Sequence, residues 1–65
     1  MQQFKVSGMS CGHCVRAVTR AIQALDQGAR VEVDLAAGVV HVDARLDAAQ
    51  IQAAIREEGY EVVPA

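Results

Sequence analysis

The sequence predicts a two-layer α+β domain with the element order β-α-β-β-α-β. Three observations carry that prediction. Apolar residues alternate with period two in several separate short stretches. Apolar stripes at helical spacing stand between those stretches in two places. The chain has 65 residues, which leaves room for one domain, residues 1–65, and no second.

The first strand is read from Phe4, Val6 and Gly8, which alternate with Gln3, Lys5 and Ser7. From about Cys14 the period changes to that of a helix. Cys14, Val18, Ala21, Ile22 and Leu25 fall on one stripe, with Arg16, Arg20 and Gln23 off it. Gly28 stands where a helix C-cap belongs. Val31 and Val33 then alternate with Arg30, Glu32 and Asp34 as a second strand. Leu35-Ala36-Ala37-Gly38 reads as a hairpin turn with Gly38 free to take a positive φ. Val40 and Val42, alternating with Val39, His41 and Asp43, give the third strand. Asp47 with Gln50 three residues on has the spacing of a capping box. Ala48, Ile51, Ala54, Ile55 and Glu58 continue that second helix, and Gly59 stops it. Tyr60, Val62 and Pro64 end the chain as a short strand, the proline suiting an edge. Two strand-helix-strand halves, with both helices on one face of a four-stranded antiparallel sheet, make a sandwich of the ferredoxin-like kind.

Composition narrows the function classes. Hydrophobic residues make up 52%, but twelve are Ala and ten are Val, against one Phe, one Tyr and no Trp, so the core is thin and aliphatic. A chain this short buries only about 60% of its unfolded surface and has no room for a large substrate pocket. Net charge is −2, which leaves no electrostatic footprint for nucleic acid or an anionic membrane. No segment approaches the ~18 consecutive apolar residues of a membrane span. Met1-Gln2-Gln3-Phe4-Lys5 lacks the basic start and apolar run of a signal peptide, so the expected location is the cytoplasm. The two cysteines are close together, unlike the spread cysteines of a secreted disulfide scaffold, and are expected to be reduced.

The chemistry is concentrated in Gly8-Met9-Ser10-Cys11-Gly12-His13-Cys14, which joins the first strand to the first helix. Cys14 is expected in the first helical turn and Cys11 on the loop before it. Unsatisfied N–H groups and the positive end of the helix dipole meet there and favour thiolate over thiol. Gly8 and Gly12 let the loop bend, and the two-residue spacer lets both sulfurs face one point. Two thiolates alone suit a soft ion of low coordination number, with Cu(I) the leading candidate. Zn²⁺ wants four ligands. Only His13 and His41 could add nitrogen donors; His13 lies inside the motif and His41 on the polar face of a hairpin strand.

These residues resemble the heavy-metal-associated domain, whose pattern is Gly-Met-x-Cys-x-x-Cys. Gly8, Met9, Cys11 and Cys14 match it in place, and the resemblance runs from Phe4 to Val63. Within that family, His before the second Cys and the pair Gly59-Tyr60 resemble the bacterial copper chaperones. The resemblance implies a cytoplasmic carrier that holds Cu(I) through Cys11 and Cys14 and passes it to related domains of a copper-exporting P-type ATPase, with a copper-responsive regulator as another recipient. It implies that Met9 packs beneath the loop and that Tyr60 lies near the site and shields it. A two-coordinate ion leaves room for an incoming thiolate, so transfer runs through three-coordinate intermediates without free ion. The apo protein is expected to be a monomer, and shared thiolates could bridge two chains through copper. Arg16 and Arg20, with Lys5 near the loop, are candidates for docking an acidic partner weakly and in a salt-dependent way.

Each of these residues also has a plainer reading. The two cysteines could be buried thiols. His13 could be an exposed imidazole that tunes the site rather than a ligand. His41 reads as a solvated strand residue, and Met9 as packing rather than a soft ligand. Arg16 and Arg20 could be only a solvated helix face. Tyr60 reads equally well as core. Glu57-Glu58 ends a helix against its dipole.

Three other functions compete. A thiol–disulfide oxidoreductase also carries Cys-x-x-Cys at a strand-to-helix junction, but thioredoxin-like enzymes are longer, with a Trp before the motif and a Pro facing it. Here Trp is absent and Pro64 is the sole proline. RNA-recognition modules share the element order but stack bases on strand aromatics, which this third strand lacks. A carrier of another thiophilic ion, Hg(II) or Ag(I), would use the same two thiolates.

Overall fold

A computed structural model of the chain describes residues 2–10 and 12–65. Its elements follow the expected order: β1 (Gln2–Ser7), α1 (Gly12–Leu25), β2 (Arg30–Asp34), β3 (Val39–Asp43), α2 (Ala48–Glu57) and β4 (Glu61–Pro64). The four strands form one sheet in the order β2-β3-β1-β4, with every neighbouring pair antiparallel. β1 is therefore a central strand, and the loop that leaves it starts from the best-supported part of the sheet.

The register puts Phe4 opposite Val40 and Val6 opposite Val62, so both sit on one face with Val31, Val33 and Val42. That face meets Val18 and Ile22 of α1 and Ile51 and Ile55 of α2 in one core. Phe4, Val18, Ile22, Val40, Val42, Ile51 and Ile55 are fully buried. Burying each such side chain is worth about 1.5–3 kcal/mol. The opposite face carries Gln3, Lys5, Glu32, His41 and Val63 and has no helix on it. Val63 is accordingly 56% exposed.

Local chemistry explains the element ends. At α2 both halves of the capping box form: Gln50 N–H donates to Asp47 Oδ1 at 2.8 Å, and Asp47 N–H donates to Gln50 Oε1 at 3.1 Å. The β2–β3 turn closes with Gly38 at φ +69°, its N–H donating to the Asp34 carbonyl at 2.9 Å. A Cβ on Gly38 would stand 3.2 Å from the Val6 carbonyl oxygen, so a side chain there is both strained and crowded. Val6 N–H donates to the Gly38 carbonyl at 2.8 Å, which pins this turn to the end of β1 from which the Cys loop departs.

Several expectations need correction. Gly8 is not the third member of the strand alternation: it lies beyond β1 and is exposed. α1 begins at Gly12, which places Cys14 in the first turn as expected but puts Gly12 in the helix rather than in the bend before it. Leu25, expected on the buried stripe, is 56% exposed. It lines an open groove of ≈ 460 Å³ between the helices, whose other side is made by Ala53 and Ala54 with the polar Gln50, Glu57 and Glu58, and none of these covers it. Gly28 is not a left-handed cap. The turn after α1 is closed by Asp26, whose carboxylate accepts from Gly28 N–H at 3.0 Å and whose carbonyl accepts from Ala29 N–H at 3.0 Å. Ala48 and Glu58 of the second stripe are exposed, and Tyr60 precedes β4 rather than opening it.

Candidate metal-binding loop

The loop between β1 and α1 is shaped at its start by Gly8, which adopts φ +95°. Residues with a Cβ rarely adopt that conformation, so glycine here turns the chain out of the sheet at little strain. Met9 follows, half-buried and packed against the core. Its side chain is thus spent on holding the loop down. Ser10, Gly12 and His13 are exposed. Cys14 is half-buried and is the third residue of α1, among the first N–H groups of the helix. No acidic residue stands in that first turn, so no carboxylate of the turn works against the helix dipole there. Cys11 lies outside the described residues.

Tyr60 comes to this loop from the other end of the chain. Its Cδ1 is 3.5 Å from where a Cβ on Gly8 would stand, and its ring packs on the core edge. Tyr60 and Lys5 line one hollow of ≈ 360 Å³ with Ser7, Arg56, Glu61, Val62 and Val63. The structure does not gather the three docking candidates. Lys5 projects from the open sheet face, whereas Arg16 and Arg20 are exposed on α1 in the helix layer. His41 is half-buried on the open sheet face opposite Gln3 and Glu32. Among the described residues, no group of three or more His, Cys, Asp or Glu side chains could hold a metal ion. Also among them, no helix is long and apolar enough to cross a membrane.

Two residues outside the sequence reading have structural work here. Arg56 reaches from α2 to the Val62 carbonyl beside Tyr60. Nothing in residue spacing announces such a side-chain-to-backbone bond across a turn. Asp26 joins the connection after α1 to the connection before α2, accepting from Arg45 N–H at 2.9 Å as well as from Gly28. The Arg45 and Gly28 amides, helped by the Arg45 charge, hold its carboxyl below the ordinary value. The spacing Asp26-x-Gly28 is an Asx-turn signal that would have found half of this arrangement.

Fold and loop together define a ferredoxin-like domain whose Cys-x-x-Cys sequence follows the first strand and runs into the first turn of the first helix. The chain belongs to the heavy-metal-associated domain family, whose model matches residues 3–61. It is 43% identical over 63 residues to the copper chaperone CopZ of Staphylococcus aureus (strain bovine RF122 / ET3-1), a match spanning 92% of this chain and 93% of that protein. Its backbone is similar to the copper chaperone Atx1 from Synechocystis PCC6803 in a Cu2 form, with a TM-score of 0.94 and 36% identity over 97% of this chain and all of that one. A crystal structure of a gold binding protein is similar at a TM-score of 0.93 and 35% identity, covering 100% of both chains.

Proposed function

We propose that this protein is a cytoplasmic copper chaperone. It takes up one Cu(I) through the thiolates of Cys11 and Cys14 and passes it by ligand exchange to metal-binding domains of a copper-exporting P-type ATPase. A copper-responsive regulator is a second recipient. The observation that carries the reading is the Cys loop set between a central strand and a helix start, in a chain similar to copper chaperones over nearly its whole length. It is a carrier and not an enzyme: copper is its cargo.

The chemistry follows from the ligand set. Two thiolates satisfy a soft monovalent ion and leave its coordination sphere open. A thiolate from the recipient enters, a three-coordinate ion is shared, and one donor thiolate then leaves. At no point is copper released to water. Such thiols need a reducing compartment, which supports the cytoplasm as the place of action. His13, exposed beside Cys14, is available to tune the loop, and Tyr60 covers its other side. Arg16 and Arg20, one helical turn apart, steer an acidic recipient, and that contact weakens as salt rises. The apo protein is a monomer, and excess copper bridges two chains through shared thiolates.

Titration under reducing conditions against a competing Cu(I) chelator tests the proposal. The wild type binds one Cu(I) per chain, and a Cys11→Ser/Cys14→Ser variant loses tight binding. Retention of tight binding by that variant refutes the ligand assignment. A second reading, a carrier of another thiophilic ion such as Hg(II), draws support from the similarity to a gold binding protein. Uptake of Hg(II) with displacement of bound Cu(I) by equimolar competitor favours that reading.

A further inference from the structure

Arg56, in the last turn of α2, spans the connection from that helix to β4. Its Nη2 donates to the Val62 carbonyl at 3.1 Å and to Gln52 Oε1 at 3.3 Å. Its own carbonyl accepts the Gly59 N–H at 2.9 Å. Side chain and main chain of one residue therefore fasten both ends of the short segment that contains Tyr60. Tyr60 in turn abuts Gly8, where the Cys loop leaves β1. The chain of contact runs from Arg56 through Tyr60 to the start of the loop.

We infer that Arg56 is a positioning residue for metal hand-over: its clasp across the α2–β4 connection holds the Tyr60 ring against Gly8 and restrains the start of the loop between β1 and α1. The inference rests on the copper-chaperone reading and deepens it. Arg56 also covers a carbonyl on the outer edge of β4, an edge strand, and that role alone would concern folding and association only. The two roles differ in what happens to bound copper. With the clasp intact, the ring limits the excursions by which a small competitor reaches the ion. Without it, the connection relaxes and the loop loses its neighbour.

The test uses the whole chain. Tyr60 is the single tyrosine and there is no tryptophan, so intrinsic emission reports this one ring. In Arg56→Ala, acrylamide quenches Tyr60 more strongly than in wild type while far-UV circular dichroism is unchanged. Removal of Cu(I) by bathocuproine disulfonate, followed by stopped flow, accelerates on the order of three- to tenfold, the scale of one lost hydrogen bond. Arg56→Lys, which keeps a donor for the Val62 carbonyl, restores most of the wild-type rate. In a Tyr60→Ala background, adding Arg56→Ala changes the rate no further, because the effect passes through the ring. Were Arg56→Ala to lose its fold, Arg56→Met, which keeps the aliphatic stem, takes its place with the same expectations. Removal rates equal to wild type, or effects of the two substitutions that multiply, overturn the inference alone. A wild-type protein that takes up no Cu(I) overturns the chaperone reading and this inference with it.

Discussion

Asp26 ties two connections of the chain together with one carboxylate, through the amides of Arg45 and Gly28. Because those bonds favour the charged form, its folded-state pKa lies below the ordinary 3.8. A depressed carboxylate stabilises the fold fully above its unfolded pKa, and that contribution disappears as pH falls through the folded value. The gap in Tm between wild type and Asp26→Asn should therefore be widest near neutral pH and shrink in acid below 3.8. A gap of the same size across that range contradicts the assignment. Asp26 also shows what was hard to read at this scale. Its bond to Gly28 is local and leaves a signature in sequence, whereas its bond to Arg45 joins residues 19 apart and leaves none. Arg56 belongs to the second kind. Gly38 belongs to the first, since a positive φ between two valine-rich strands is a turn requirement that glycine alone meets easily.

Elements differed in legibility for related reasons. The start of α2 was plain because a capping box is decided by residues three apart. Replacing Asp47 by Ala removes the acceptor for Gln50 N–H and should cost about 1 kcal/mol in urea unfolding at unchanged m-value. No loss would mean that tertiary packing alone holds that helix end. The far end of α1 was misread because a stripe on a helix says which side is apolar but not where its cover stops. The groove that Leu25 lines is completed from the second helix by Gln50, Ala53, Ala54, Glu57 and Glu58, which leave Leu25 56% exposed. The strand alternations were read well wherever a helix covers one face only, as in β1 and β3. Gly8 ended the first of them because its positive φ turns the chain out of the sheet.

At the scale of the whole molecule, the core touches the Cys loop at its edge, through Met9 and Tyr60. The buried cluster consists of Phe4 with aliphatic residues from both helices and from β1, β3 and β4, with Val31 and Val33 of β2 packed against it half-buried, and among the described residues it includes no cysteine. The fold is thus expected to stand without metal. Removing the metal should leave dispersed amide NMR signals throughout, with changes confined to the loop and its neighbours Gly8, Met9 and Tyr60. Collapse of that dispersion would mean that metal binding supplies folding energy, as in structural zinc sites. The fold was legible because periodicity and turn chemistry agree along nearly the whole chain. The loop's place between β1 and the start of α1 was legible from the change of period, whereas Cys-x-x-Cys before a helix also serves thiol–disulfide exchange, so the spacing alone did not fix its use. The choice among soft ions was not, since Cu(I), Ag(I) and Hg(II) ask the same thing of two sulfurs.

On the proposed function, the cargo is held by sulfur alone. X-ray absorption at the copper edge, on protein loaded anaerobically with one equivalent of Cu(I), addresses it directly. The account predicts a monovalent ion with a first shell of two sulfur scatterers, rising to three when a competing thiol is added. A first shell containing nitrogen or oxygen donors, or one that an added thiol leaves unchanged, would contradict it.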